Sequence, residues 1–280
     1  MKPWPIGLST GCFYSRPILE VLDEVSASGF DSIEVCSFPA HLDYHNHQDV
    51  EWAAARMRGL RLNPVSFHAP FADKIDITAL DPAARAEAVH ELLMACEAAK
   101  AMGVKNIVLH PGPERAGRPD DAEFLVRMRN AAETLNLVAE RCCKLELHLI
   151  LENMLPHLLF GHTNDMLYLL GSIRNCEVGA CLDTGHAFLA RELDTMIHKL
   201  SGHLHLVHLN DNRGDRDEHL APGDGHIDWP RVFQELQRCR FSGTLILELS
   251  SRENESVQSM LERARRARDY LLNLMEKMAS

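Results

Sequence analysis

The strongest constraint on how this chain can fold is an alternation that runs its whole length. Eight short runs of β-branched and apolar residues are separated by longer amphipathic stretches. Short apolar runs bounded by turn formers read as buried strands, whereas apolar recurrence at i, i+3, i+4 and i+7 reads as helix. On that basis strands are predicted at 6–9, 32–36, 64–68, 106–110, 147–152, 178–183, 204–209 and 244–249. Helical patterns fill the intervals, among them PILEVLDEVSASG (17–29), DPAARAEAVHELLMACEAAKAMG (81–103) and FLVRMRNAAETLNLVAERCC (124–143). The first two end at Gly, the usual C-terminal stop. A last helix is predicted from about 254 to 277, its ERARRARD segment forming a solvated face. Strands alternating with helices imply a parallel sheet, and at 280 residues a closed (β/α)8 barrel, one domain over 1–280, is favoured over an open doubly wound sheet. Neither G-x-G-x-x-G nor G-x-x-x-x-G-K-[ST] follows the first strand, which weakens a nucleotide-binding reading.

Composition narrows the function classes. The formal charge of −11 disfavours a broad basic surface for nucleic acid, although a local groove stays open. The opening MKPWPIGLST has no signal-peptide core, and no apolar run approaches the ~20 residues of a membrane span, so a cytoplasmic protein is expected. The eight cysteines are scattered without a C-x-x-C, which reads as reduced, mostly buried thiols. Nothing in the sequence sets an oligomeric state.

Barrel active sites form at the C-terminal ends of the strands, and there the chain places ionisable residues repeatedly. Glu34 lies near the end of the second strand, His68 ends the third and His110 the fourth; Glu152 ends the fifth, Asp183 the sixth and His208 the seventh, and Glu248 lies at the end of the eighth. His186 follows Asp183 by three residues, and Asp217 and His219 lie in the Gly-, Asp- and Asn-rich loop 209–228. A single strand-end histidine is usually structural, and a strand-end aspartate commonly caps the next helix. So many together, at buried positions where an unpaired charge is costly, point to a shared metal site. Mixed imidazole and carboxylate donors favour Zn, Mn, Fe or Co over Ca, with Mg admitted on the carboxylate side. The other histidines carry less weight: His41, His45 and His47 in the polar HLDYHNH loop, and His148, His157, His162, His198, His203 and His205, read as surface or supporting residues. His226, in PGDGHIDW, reads as structural, with Asp228 capping the following helix.

These residues resemble the xylose-isomerase-like TIM-barrel superfamily, which includes sugar isomerases and epimerases, inosose dehydratases and the endonuclease IV type of apurinic endonuclease (AP endonuclease family 2). The resemblance runs from IGLSTGCF to ILELS and rests on HAPF, VLHPG, LILEN, CLDTGHAF, HLNDN, D-E-H at 217–219, PGDGHIDW and ILEL. In the epimerase branch it implies one divalent metal (Zn, Mn, Co or Mg) held by Glu152, Asp183, His208 and Glu248. Glu152 and Glu248 would then be the acid/base pair, working through a metal-stabilised enediolate, with His68, His110 and His186 binding a small sugar, sugar phosphate or inosose. One departure is that epimerases of free ketoses usually carry a further Glu where this chain has Leu158.

In the endonuclease IV branch the resemblance implies up to three zinc ions and an abasic-site phosphodiester hydrolase. The chain matches that branch at His68, His110, Glu152, Asp183, His186, His208, Asp217, His219 and Glu248. It lacks that branch's opening, and CSFPAHLDYHNHQD carries no Arg or Lys to grip phosphate. One dication among three carboxylates leaves a net negative site suited to a neutral polyol, whereas three dications leave a positive one suited to phosphate. Intact acid/base candidates disfavour a catalytically silent scaffold.

Overall fold

A computed structural model describes residues 4–114, 117–174 and 176–279. Its eight parallel strands close into a barrel in chain order: β1 (Ile6–Ser9), β2 (Ser32–Cys36), β3 (Asn63–His68), β4 (Asn106–Leu109), β5 (His148–Glu152), β6 (Val178–Asp183), β7 (Leu204–Leu209) and β8 (Thr244–Leu247). β1 pairs with β8, Leu8 opposite Leu247, so the sheet has no free edge. Every predicted strand is present, with ends shifted by at most two residues.

The helices form an outer ring: α1 (Ile18–Ala27), α2 (His47–Leu60), α3 (Pro82–Met102), α4 (Asp121–Lys144), α5 (Thr163–Ser172), α6 (Thr184–Leu189), α7 (Leu193–Lys199), α8 (Trp229–Arg238) and α9 (Val257–Ala279). α3 shows why the boundaries were legible. Asp81 accepts the amide of Ala83, Pro82 occupies the first turn where no N–H is needed, and Gly103 leaves the helix at φ +78°. The Arg-rich stretch of α9 is only partly a solvated face. Arg263 is buried, pairing with Glu255 at 2.8 Å and donating to the Ser250 carbonyl at 2.6 Å, which ties the helix to the segment after β8.

Alternation along the strands divides the core. Between barrel and helices lies one large apolar cluster, which includes Leu109, Leu149, Leu182 and Leu247. Inside the barrel a small separate cluster holds Val108, Ile150, Cys181, Leu206 and Ile246. Two residues further along each of these strands the side chain faces the same interior again, one layer higher. Those positions are His110, Glu152, Asp183, His208 and Glu248. The apolar plug thus forms the floor on which the ionisable layer stands. No helix among the described residues is long and apolar enough to cross a membrane.

Candidate metal centre

Register sets the first contacts. Asp183 lies opposite His208 across the β6–β7 pair, and Glu34 has Ser9 of β1 and Ser66 of β3 as its strand neighbours. His208 is fully buried at the centre. Its Nδ1 lies 3.0 Å from Glu152 Oε1 and 3.1 Å from Glu248 Oε2, and its Nε2 lies 3.1 Å from Glu34 Oε2. On one side His68 Nε2 and His110 Nε2 each approach Glu152 Oε2 at 3.3 Å. On the other, Asp217 Oδ2 lies 3.5 Å from His186 Nε2 and 3.1 Å from His219 Nε2. All nine nominated residues therefore meet at one mouth of the barrel.

Three overlapping sets place their ligand atoms within 4.8 Å of one another: His68, Glu152 and His208; Glu152, Asp183, His208 and Glu248; Asp183, His186 and His219. The imidazoles are oriented as ligands would be. Four give Nδ1–H to an oxygen: His68 to the Ala69 carbonyl at 2.9 Å, His110 to Glu114 at 2.5 Å, His186 to the Asn153 carbonyl at 2.9 Å and His219 to the Glu248 carbonyl at 3.2 Å. Each then turns Nε2 towards the carboxylates. His208 is reversed, with Nε2 on Glu34 and Nδ1 inward. Glu152 Oε2 and Asp217 Oδ1 are buried without a hydrogen bond among the described residues, although Glu152 Oε2 has two imidazole nitrogens beside it. Carboxylate oxygens left open among converging nitrogens fit a cation better than a closed hydrogen-bond network.

The charges respond to one another. Burial opposes protonation of His110 and His208, yet neighbouring carboxylates, Glu152 in both cases, hold both well above the ordinary imidazole range. Burial likewise opposes ionisation of Glu152 and Glu248. His208 outweighs it, holding Glu152 well below the usual carboxylate range and Glu248 at about 2. Asp183 is shifted upward, because burial there exceeds the pull of His186 and His219.

Several supporting residues were not singled out from sequence. Asn153 accepts the Asp183 amide at 2.8 Å, and Asn210 donates to Asp183 Oδ2 at 2.6 Å. Gly185 is required here, since a Cβ at that position would lie 2.0 Å from Asn210 Oδ1. Asp211 organises the loop after β7: its carboxylate accepts the amides of Asn212, Gly223 and Ile227 and the indole N–H of Trp229, all within 2.9–3.0 Å. Glu114, four residues after His110, had a visible signal in the spacing. Asp211 had none beyond its place in HLNDN.

Residues given less weight fall mostly outside the cluster. His226 is exposed, donating Nδ1–H to the Arg213 carbonyl at 3.0 Å, and Asp228 caps α8 through the Arg231 amide at 3.2 Å. Leu158 is fully buried in the apolar core. His41 departs from its expected surface position. It is 3% exposed, with Nδ1 2.6 Å from the Arg16 carbonyl, because the loop after β2 folds inward under the turn that follows β1.

The model of the xylose isomerase-like TIM barrel family matches residues 22–274. The chain belongs to that family. An uncharacterized protein of Methanocaldococcus jannaschii is 27% identical over 98% of this chain and 91% of its own length. A probable endonuclease 4 of Nitratidesulfovibrio vulgaris is 32% identical over 67% of this chain and 71% of its own length. Among solved structures, a D-tagatose 3-epimerase-like protein superposes with a TM-score of 0.84 at 22% identity, covering 98% of this chain and 99% of the other. At that identity the likeness speaks for the fold.

Proposed function

We propose that the chain is a divalent-metal-dependent isomerase or epimerase of a small sugar, sugar phosphate or inosose-type polyol. The observation that carries this reading is the placement of Glu152 and Glu248 at 3.0 and 3.1 Å from the same His208 nitrogen. Two carboxylates then flank one cation position, where one can remove a proton beside a carbonyl and the other return it. Glu152, Asp183, His208 and Glu248 would hold the metal. A bound divalent ion supplies polarisation of the substrate carbonyl and stabilises the negative charge that develops on its oxygen.

The remaining steps belong to the chain. Glu152 and Glu248 are ionised at neutral pH, so either carboxylate can act as the base. His186, fixed through Nδ1 on Asn153, presents Nε2 to a substrate oxygen. His68 and His110 define the opposite wall, and Phe71, itself exposed at the rim, packs against both rings at centroid distances of 5.3 and 4.9 Å. The likeness to epimerase structures supports this reading. It is tested by incubating metal-loaded protein with ketoses, inososes and their phosphates in deuterated water. Deuterium should enter the carbon beside the carbonyl, and absence of exchange across that panel would rule the reading out.

A second reading, zinc-dependent hydrolysis at abasic sites, is favoured by the convergence of all nine residues and by the probable endonuclease 4 relative. It ranks lower because three arginines of the loops after β4 and β7 are engaged elsewhere: Arg118 with Asp165 at 2.9 Å, Arg213 with Glu218 at 2.6 Å and Arg216 with Glu218 at 3.4 Å. Phosphate recognition needs such side chains free. Incision of an abasic duplex, lost on chelation and restored by zinc, would place it first.

A further inference from the structure

Glu34 is a fully buried carboxylate in the barrel mouth, and it belongs to none of the three ligand sets. It lies on the far side of His208 from Glu152 and Glu248. Its Oε2 is 3.1 Å from His208 Nε2 and accepts the Ser66 hydroxyl at 2.8 Å, while its Oε1 accepts the Ser9 hydroxyl at 3.3 Å. Both serines are buried and are its register neighbours on β1 and β3. Both Glu34 oxygens already accept serine hydroxyl hydrogens, and His208 Nε2 meets Oε2 as a further donor.

We infer that Glu34 is a positioning residue that selects which nitrogen of His208 is available to the metal. With Nε2–H donated to Glu34, Nδ1 is the nitrogen left to face the cation position between Glu152 and Glu248. The other four imidazoles of the site present Nε2, so His208 works with the opposite nitrogen, and Glu34 is the group that enforces the exchange. The two serines hold the carboxylate so that it cannot turn away from the ring. A hydrogen-bond acceptor behind the ring also makes the inward nitrogen a stronger donor. This inference rests on the proposed metal centre but not on the reaction assigned to it.

The test uses zinc alone as probe, with affinity measured by competition against a chromophoric chelator. Glu34→Gln presents an amide N–H that can donate to His208 Nε2 and move the ring proton to Nδ1. Affinity is expected to fall about 10–100-fold, the size typical for loss of a group that orients a ligand. Ser66→Ala keeps the carboxylate and loosens it, so a smaller loss in the same direction is expected. Long-range proton–nitrogen NMR of the zinc-loaded protein should show His208 protonated at Nε2 in the wild type. Zinc affinity equal in the wild type and both variants, or a wild-type His208 protonated at Nδ1 alone, overturns the inference. Zinc binding that responds as expected, with no deuterium exchange into any substrate, would leave Glu34 its role and remove only the isomerase reading.

Discussion

His219 donates Nδ1–H to the main-chain carbonyl of Glu248 at 3.2 Å, tying the loop after β7 to the end of β8. The same residue has φ +43°, a left-handed conformation uncommon outside glycine, and its own carbonyl accepts the Ser250 amide at 3.1 Å. A backbone held in that region has to be over-determined by its surroundings. Here the surroundings are β8 and the loop's internal bonds. The loop is therefore a fixed wall of the site, and Asp217 and His219 are delivered to the cluster by packing that lies outside it.

Asp211 is the residue on which that packing depends. Its carboxylate accepts four N–H donors within 2.9–3.0 Å and is fully buried. Asp211→Asn replaces one acceptor oxygen with a donor that faces N–H groups. A loss of about 2–4 kcal/mol is expected from donors left unsatisfied in the interior. Urea unfolding should show that loss, with weaker zinc binding beside it. Unchanged values for both would mean that the loop is held by other contacts.

Glu152→Gln and Glu248→Gln are each expected to lower turnover at least about 100-fold and to weaken metal binding, since each removes a ligand charge and a proton carrier. His226→Asn should stay within about twofold of the parent, because the His226 side chain is exposed and bonds to the Arg213 carbonyl, away from the cluster. Equal losses in all three would erase the division between site and scaffold.

How far the site could be read from sequence follows from what each residue reports locally. Glu152, Asp183 and His208 end apolar runs, so the two-residue alternation of the strand discloses both their burial and their common face. Asp217 and His219 were visible as ionisable residues of the loop after the seventh strand, but only resemblance to a family set them among the ligands, since nothing local says where a loop ends. Glu34 was visible as a strand-end carboxylate, but its partner is 174 positions away, set by barrel closure. His41 was misjudged because polar neighbours in HLDYHNH mask a backbone that turns inward.

His41 yields a prediction about stability. Burial holds its pKa down at about 4, against an ordinary value of 6.5, with weaker opposing help from the Arg16 and Phe13 carbonyls. Between those values the unfolded chain binds the proton and the folded chain does not, so stability rises with pH across the interval. The contribution is fully present above pH 6.5 and is lost as pH falls towards 4, about 3 kcal/mol in all. His41→Asn keeps a donor for the Arg16 carbonyl and removes the titration. Unfolding at pH 7 and pH 4.5 should show a smaller acid loss in the variant, and parallel losses would refute the assignment.

Metal loading should be coupled to protons in the opposite sense. Burial disfavours the charged forms of His186 and His219, but Asp183 and Asp217 outweigh it, leaving their pKa values at about 9 and about 10 in the metal-free protein. At pH 7 both rings carry a proton that a cation has to displace. Zinc affinity should therefore rise with pH between 7 and about 10 if these two rings are ligands. Calorimetric titrations in two buffers of different ionisation enthalpy would count the protons released. No release at pH 7 would mean that the bound metal leaves both imidazoles protonated.

The number of ions decides between the two chemistries, and metal-anomalous diffraction with elemental analysis measures it. One firmly held ion is expected on Glu152, Asp183, His208 and Glu248, the set with the most donors. In that case His68, His110 and His186 remain free to bind substrate oxygens, and the ion with its three carboxylate ligands sums to a negative charge, suited to a neutral polyol. If His68 with His110, and His186 with Asp217 and His219, hold ions as well, further peaks should lie roughly 3.5–5 Å away, a range widened from the ~3.5–4 Å of two-metal sites. Full occupancy of three positions would reverse the sign of the site's charge. A positive cluster matches a phosphate ester, so that result would move abasic-site hydrolysis ahead of isomerisation, whatever the epimerase-like shape of the barrel.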